Sequence, residues 1–425
     1  MRVILRGDEF GTALVQGQYM KPRGRPTGPR MLGHGREEPP VVELALTRAI
    51  EAVNAKEPVE PGSFSIYDDD AVLSVCWSGG GGSVLASIST AGHVKLWQVS
   101  ARRDRQWRLL RVLRDPAEGA IDEFFTGTFL GGAGVGPGGR ALFAAAGKRK
   151  DRHRWDAEEG DNAVLPGQVK VFDAASGACV LRLGPGGHTE EILHVASRTV
   201  GDANYLLSCG QDGRLCRWHL DRTWTRLLSV RSVRLGDMAF HVDCVCAGGR
   251  ELVLAAVDEE IKIVELGTLR VLGAARTGFS SYCDWAKVLR VDEAAGRVQL
   301  VLRGVELLST DTLAPSAPNC ILVAELDVRR GYELTVLRRL QHPAYQANSW
   351  LLRPGLTPNG HYLAAPTAHG RVLVFSLATG HCTALLHHHA DSEVRQVAFH
   401  PRLPLLVSCG DDAHVRIYFA PQPPQ

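Results

Sequence analysis

The feature that most constrains the fold of this chain is a group of three short apolar runs that recurs along it. In each copy, apolar and polar residues alternate over a strand-length run, and tight turns separate the runs. The clear copies are Val72–Trp77 with Val84–Ser87 and His93–Trp97, then His188–Ile192 with Tyr205–Ser208 and Gln211–Trp218, then Val394–Phe399 with Leu405–Ser408 and Asp411–Tyr418. Weaker copies occupy Phe124–Asp173, Phe240–Leu266, Tyr282–Leu326 and Trp350–Leu377. A unit this short cannot bury its apolar face alone, so we expect the copies to pack against one another.

The second clear copy contains polar residues at a characteristic spacing. They are Gly187-His188, Ser208, Asp212 and Trp218, and the Asp-Gly pair at 212–213 suits a tight turn between two strands. This spacing resembles a WD40 repeat, the blade of a β-propeller. The resemblance implies that His188, Ser208, Asp212 and Trp218 form a structural tetrad joined by hydrogen bonds. Such a buried polar set is stable only if every member finds its partners.

The repeats predict an all-β chain folded as a seven-bladed WD40 β-propeller. The last copy ends near Tyr418, and no fourth strand follows it in the sequence. We therefore expect Ser63–Tyr67 to supply that strand and close the ring, which removes an open sheet edge. On this basis residues 1–60 form an N-terminal arm and helix, and residues 61–425 form the propeller. Two long insertions account for the length of the repeats: Gly147–Pro166 and Arg303–Pro318.

The segment before the ring has two parts. Lys21–Arg36 carries five basic residues and no acidic one among Gly and Pro, so it cannot be helical. It is either a solvated arm or an arm that contacts nucleic acid or an acidic partner. Pro39–Lys56 is expected to be a helix, because its apolar residues recur at helical spacing. That helix either packs on the ring or binds a partner.

The composition and motifs argue against several other classes of protein. Lys+Arg is 48 and Asp+Glu is 46, a near-balance that disfavours general coating of nucleic acid. No apolar run approaches the ~20 residues of a membrane span, and the N-terminus lacks the pattern of a signal peptide. The ten cysteines include no Cys-x-x-Cys pair, so we expect reduced thiols in a core. We predict no catalytic residue, no cofactor and no metal site, and we interpret His387–His389 as the loop before the last repeat.

Several short motifs resemble one family in particular, the EED / Extra sex combs subunit of Polycomb repressive complex 2. The resemblance extends over roughly residues 60–420, in the same blade order. The motifs are Asp122–Phe129, Ser208–Asp212, Tyr282–Asp284, Ser349–Arg353, Val394–Gln396 and Asp411–Ala413.

That family holds a trimethyl-lysine of the histone H3 tail in an aromatic cage at the mouth of the propeller channel. The resemblance places the cage at Leu73, Phe125, Trp350 and Leu351, and places peptide contacts at Tyr282 and Arg395. Aromatic ring faces attract a quaternary ammonium, with about 0.5–2 kcal/mol from each ring. Two cage positions are leucine here. This departure implies weak binding of methyl-lysine, binding of a different mark, or loss of the activity.

The resemblance implies a nuclear, non-catalytic scaffold that takes part in transcriptional repression. Its expected partners are the catalytic subunit of a histone methyltransferase, the histone H3 tail and other Polycomb subunits. Two alternatives remain open from the sequence: a substrate receptor of a cullin ubiquitin ligase, and a histone chaperone or assembly scaffold. The Trp-Asp-x-Arg box that often marks the first alternative is absent, because Trp218 is followed by His219.

Overall fold

The computed structural model describes residues 63–67, 70–79, 81–99, 107–116, 122–131, 141–149, 153–156, 161–164, 167–309, 314–315, 319–389 and 391–419. The predicted basic arm Lys21–Arg36 and the predicted helix Pro39–Lys56 lie outside these ranges. Within the ranges, every element named below is a β-strand, which confirms the all-β prediction. The same ranges contain no helix with the length and apolar character required to cross a membrane.

The described strands form seven four-stranded antiparallel sheets, the blades. The first of the described strands is β1 (Ser63–Tyr67). Blade 1 contains β2 (Val72–Trp77), β3 (Val84–Ser89), β4 (Val94–Gln98) and β5 (Arg108–Leu113). Blade 2 contains β6 (Asp122–Leu130), β7 (Leu142–Arg149), β10 (Val169–Asp173) and β11 (Cys179–Leu183), with an inserted hairpin of β8 (His153–Asp156) and β9 (Asp161–Val164). Blade 3 contains β12 (Ile192–Val200), β13 (Ala203–Gly210), β14 (Arg214–Leu220) and β15 (Leu227–Arg234).

The remaining blades follow the same order. Blade 4 contains β16 (Ala239–Ala247), β17 (Arg250–Val257), β18 (Glu260–Glu265) and β19 (Val271–Arg276). Blade 5 contains β20 (Tyr282–Asp292), β21 (Arg297–Val305), β24 (Cys320–Asp327) and β25 (Glu333–Gln341), with an inserted hairpin of β22 (Leu307–Ser309) and β23 (Ala314–Pro315). Blade 6 contains β26 (Gly355–Leu356), β27 (Tyr362–Pro366), β28 (Arg371–Ser376) and β29 (Cys382–His387). Blade 7 contains β30 (Val394–Phe399), β31 (Leu405–Gly410), β32 (His414–Phe419) and β1.

The ring closes through β1, as predicted. β1 pairs antiparallel with β32, with Ser63 opposite Tyr418 and Tyr67 opposite His414. Apolar clusters fill the junctions between neighbouring blades all the way round. At the junction of blades 7 and 1, for example, Leu85 packs in one cluster with Ile417. The sequence prediction of a seven-bladed propeller is therefore confirmed.

The position of a strand within its blade explains its composition. Middle strands are covered on both faces by the neighbouring blades, so they read as continuous apolar runs. In β17, the side chains from Leu252 to Val257 are all buried. Outer strands face solvent, and five of the six residues of β5 are exposed. The two predicted insertions contain short hairpins, but both begin later than predicted. Gly147 lies within β7, and Arg303 is a fully buried residue of β21.

The first strand of each blade is the innermost, since these strands contact one another around the ring. Because neighbouring strands in a blade are antiparallel, two kinds of connection lie on the same side of the ring. They are the loops that lead into the innermost strands and the turns that join each second strand to the third. We call this side the mouth face.

Candidate functional site

Four polar side chains of blade 3 form a buried hydrogen-bonded set. Nδ1 of His188 lies 3.0 Å from Oδ1 of Asp212, and its Nε2 lies 2.8 Å from Oγ of Ser208. Nε1 of Trp218 donates to the same Ser208 oxygen at 2.8 Å. Burial opposes ionisation of Asp212, but hydrogen bonds from His188 and from backbone amides lower the pKa of this carboxyl below its usual value. The set ties the loop before β12 to the turn between β13 and β14.

Blade 7 carries an equivalent set in which tyrosine replaces tryptophan. His389 lies 2.9 Å from Oδ1 of Asp412 through Nδ1 and 2.7 Å from Oγ of Ser408 through Nε2. The hydroxyl of Tyr418 lies 3.2 Å from the same Ser408 oxygen. Burial opposes ionisation of Asp412, but the hydrogen bond from His389 and its positive neighbours lower the pKa of Asp412 to about 2. The His387–His389 run therefore contributes a structural histidine to this blade.

The predicted cage positions meet at the centre of the mouth face. Leu73, Phe125 and Leu351 are 7–8% exposed and belong to one apolar cluster. Tyr282 and Trp350 pack against this cluster and remain partly exposed. These five side chains come from four blades, so the fold alone brings them together. The leucines and Phe125 fill the mouth, and the exposed aromatic surface belongs to Tyr282 and Trp350.

One aromatic residue of the mouth was missed by the sequence reasoning. The ring of Phe240 stacks on Tyr282 with centroids 5.3 Å apart and meets Trp350 edge-on at 6.2 Å. A signal was present, because Phe240 is the second residue of its innermost strand, as Leu73 is in blade 1. The ammonium group of Lys148 lies near the ring of Phe125, with its Nζ 5.8 Å from the ring centroid.

A buried ion pair fixes the loop that carries Trp350. Arg303 and Asp284 pair in the interior, and both side chains are almost fully buried. The guanidinium of Arg303 also donates to the backbone oxygens of Ala347 and Ser349. The carboxylate of Asp284 accepts a hydrogen bond from the backbone amide of Leu351 at 3.1 Å. Burial opposes the charge on Arg303, but Asp284 more than offsets it, so the pKa of Arg303 is raised.

The two predicted peptide-contact residues also hold this loop. The hydroxyl of Tyr282 donates to the backbone oxygen of Asn348 at 3.0 Å. Arg395 donates to the backbone oxygen of Trp350 at 3.4 Å and to both carboxylate oxygens of Asp411 at 2.7 and 2.6 Å. It also pairs with Glu393 at 2.6 Å. The positive charge of Arg395 is therefore outweighed by two carboxylates at the rim of the mouth.

Arg353 lies below the mouth and joins three blades. Its Nη1 donates to the backbone oxygen of Phe125 at 2.9 Å, and its Nη2 donates to that of Leu193 at 2.7 Å. Burial lowers the pKa of Arg353 to about 10. The sequence motif Ser349–Arg353 contained this residue, but its role depends on partners more than 150 positions away.

Comparison with known proteins agrees with this architecture. Residues 380–418 match the WD40 family, described as the WD domain, G-beta repeat. The matched segment covers most of blade 7 and includes its hydrogen-bonded set. The chain is a seven-bladed β-propeller with a WD40 repeat. No curated protein matches the chain.

A WD40 propeller of this kind suggests a scaffold or a protein-interaction role. The residues that the structure describes contain no group of three or more His, Cys, Asp or Glu side chains that could hold a metal ion. The mouth combines ring faces, aliphatic contacts and rim carboxylates. That combination suits a cationic side chain on an extended peptide.

Proposed function

We propose that this propeller is a non-catalytic scaffold of a Polycomb-type histone methyltransferase complex, acting in the nucleus. In this proposal it binds the methyltransferase subunit and other Polycomb subunits, and its mouth face binds a methylated histone H3 tail. The observation that carries the proposal is the meeting of Leu73, Phe125, Tyr282, Trp350 and Leu351 in one apolar cluster at the mouth.

The chemistry of the mouth supports a lysine with methyl groups as the ligand. Tyr282 and Trp350 present partly exposed rings, which attract a quaternary ammonium without hydrogen bonds. Leu73 and Leu351 provide apolar contacts for methyl groups. Since only part of the lining of the mouth is aromatic, we expect weak affinity for methyl-lysine, and we expect that affinity to depend mainly on Trp350.

The charge of the mouth face supports a basic partner. Asp70 precedes β2, and Asp258 and Glu259 form the turn between β17 and β18. At blade 7, Glu393 and Asp411 flank the mouth and together exceed the single positive charge of Arg395, with which both pair. Carboxylates distributed in this way attract a basic tail and accelerate its association, an effect that falls as salt concentration rises.

Calorimetric titration with H3-tail peptides tests the lysine site. The peptides carry unmodified, dimethylated or trimethylated lysine, and we expect the trimethylated form to bind best. Trp350→Ala should weaken binding by about two- to fivefold or more, and Trp350→Phe should retain most of it. Tyr332→Ala, which removes an aromatic side chain from the opposite face, is the matched control. Equal affinity for all methylation states would refute the lysine site.

Native purification tests the scaffold role separately. The full chain, isolated at endogenous level, should bring with it a SET-domain methyltransferase. A native complex without such a subunit would refute the Polycomb assignment, whatever the calorimetry shows.

A further inference from the structure

A polar cavity opens on the mouth face beside the loop that leads to Trp350. Its volume is about 370 Å³, and its lining includes His342, His369, Arg371 and Asp391. These residues come from the loop before blade 6, the turn between β27 and β28 with the first residue of β28, and the loop before blade 7. All three are mouth-face connections, so a ligand in the cavity lies on the same side of the ring as a ligand in the mouth.

The donors around the cavity suit an oxyanion. The guanidinium of Arg371 and the imidazole of His369 make no hydrogen bond or ion pair with any other residue that the structure describes. Nδ1 of His342 accepts a hydrogen bond from the backbone amide of Ala344 at 3.1 Å, so a neutral ring carries its proton on Nε2. The carboxylate of Asp391 lies 3.4 Å from Nε2 of His387.

The wall that carries Arg371 is held rigidly by one buried threonine. The hydroxyl of Thr367, which is fully buried, accepts from the backbone amides of His369 and Arg371 and donates to the backbone oxygen of Arg371. Gly370 has a φ of +67°, and a Cβ there would lie 2.7 Å from the backbone nitrogen of Asp391. The turn therefore packs directly against the loop before blade 7, and the backbone from which His369 and Arg371 project is fixed in place.

We infer that this cavity binds a phosphate monoester, carried on a serine or threonine of the same peptide that the mouth holds. The inference rests on the proposed function, because it adds a second subsite to the same peptide-binding face. An arginine fork gives two parallel hydrogen bonds to a phosphate, and the neighbouring imidazole of His369 supplies a further donor. A phosphate offers these donors more acceptor oxygens than a carboxylate does, so the number of acceptors favours a phosphate here.

The chain itself indicates the spacing between the two subsites. Gln346 lines the cavity, and Trp350 lies at the mouth four residues later. An extended chain spans at most about 3.3–3.6 Å per residue, so the Cα atoms of Gln346 and Trp350 are at most roughly 14 Å apart. We therefore place the phosphorylated residue about two to five positions from the methylated lysine.

Binding of a peptide series to the full chain tests the inference. Each peptide carries trimethyl-lysine, and serine, phosphoserine or glutamate is placed two to five residues away on either side. At one spacing, phosphoserine should tighten binding by at least about tenfold over serine, as two charge-assisted hydrogen bonds allow. Glutamate should give a much smaller gain, and inorganic phosphate should compete only with the phosphorylated peptide.

Variants identify the cavity as the source of the gain. Arg371→Ala should remove the gain in affinity from phosphoserine, while the affinity for the serine peptide stays within about twofold of that of the unmodified chain. Arg371→Lys should keep only part of the phosphoserine gain. Arg330→Ala, which removes the same charge from the opposite face, should change neither. A thermal melt confirms that each variant is folded.

The outcomes separate this inference from the proposed function. If serine and phosphoserine peptides bind equally at every spacing, the phosphate subsite is refuted while lysine binding stands. If binding requires phosphoserine and Arg371 but ignores lysine methylation, the lysine site is refuted while the phosphate subsite stands. A gain that survives Arg371→Ala refutes the assignment to this cavity.

Discussion

Replacing Asp284 by asparagine should destabilise the propeller strongly, because it leaves a buried guanidinium without its counter-charge. Arg303 is fully buried, and Asp284 is its carboxylate partner in the interior. Removing one partner of such a pair costs about 3–5 kcal/mol. At about 2.1 cal/mol/K per residue, a ring of roughly 350 residues unfolds with an entropy near 0.7 kcal/mol/K. The expected decrease in melting temperature of Asp284→Asn is therefore about 4–7 °C.

Differential scanning calorimetry measures this shift, and two further variants isolate its cause. Asp202→Asn breaks an exposed ion pair with Arg222, 2.9 Å apart, and should change the melting temperature by about 1 °C or less. The double variant Asp284→Asn with Arg303→Gln removes both buried charges and should recover part of the loss. A double variant no more stable than Asp284→Asn would show that the unpaired charge is not the cause.

Four further outcomes are expected. Deleting residues 62–69 removes the strand that closes blade 7 and should lower the melting temperature, whereas an unchanged melt would contradict closure by that strand. Ser208→Ala leaves a buried imidazole and a buried indole short of a partner, so unfolding should become easier by about 1–3 kcal/mol in a denaturant titration. Asp412 has a lowered pKa, so it contributes stability above its unfolded pKa that is lost as pH falls towards about 2; Asp412→Asn should flatten stability curves between about pH 4 and pH 2. Lys148→Ala removes a positive charge 5.8 Å from the ring of Phe125 and leaves Glu123 without this ion pair, so a trimethyl-lysine peptide should bind about two- to fivefold tighter in calorimetry; weaker binding would contradict repulsion by this lysine.

The architecture was predictable because the same sequence pattern occurs in several blades. Each blade has two middle strands that are buried on both faces, and this requirement produces similar apolar runs and turns in each copy. The closing strand Ser63–Tyr67 could be predicted by counting strands, because the last copy of the repeat has three and a blade needs four. The polar set of blade 3 followed from spacing within one copy, because His188 and Trp218 are only 30 positions apart in the sequence.

The site was less predictable because its parts are remote in sequence. The sequence around Arg303 does not indicate that it is buried, so it was assigned from the sequence to the start of an insertion. The contacts of Arg353 with Phe125 and Leu193 depend on how blades 2, 3 and 6 converge. Phe240 sits in one of the weaker copies, where the pattern gives an apolar residue without showing that it faces the mouth. Resemblance suggested the remaining mouth positions, and packing determines what they contact.

The pairing of β1 with β32 also has a consequence for how this protein is made. A ribosome completes β1 roughly 350 residues before its partner strand is available, which at 5–20 residues per second is a delay of about 20–70 s. Throughout that delay the nascent chain holds a strand with unused hydrogen-bonding groups, beside blades that are already folding. The yield of folded protein should therefore depend on keeping that strand from pairing with other chains until β32 has been made.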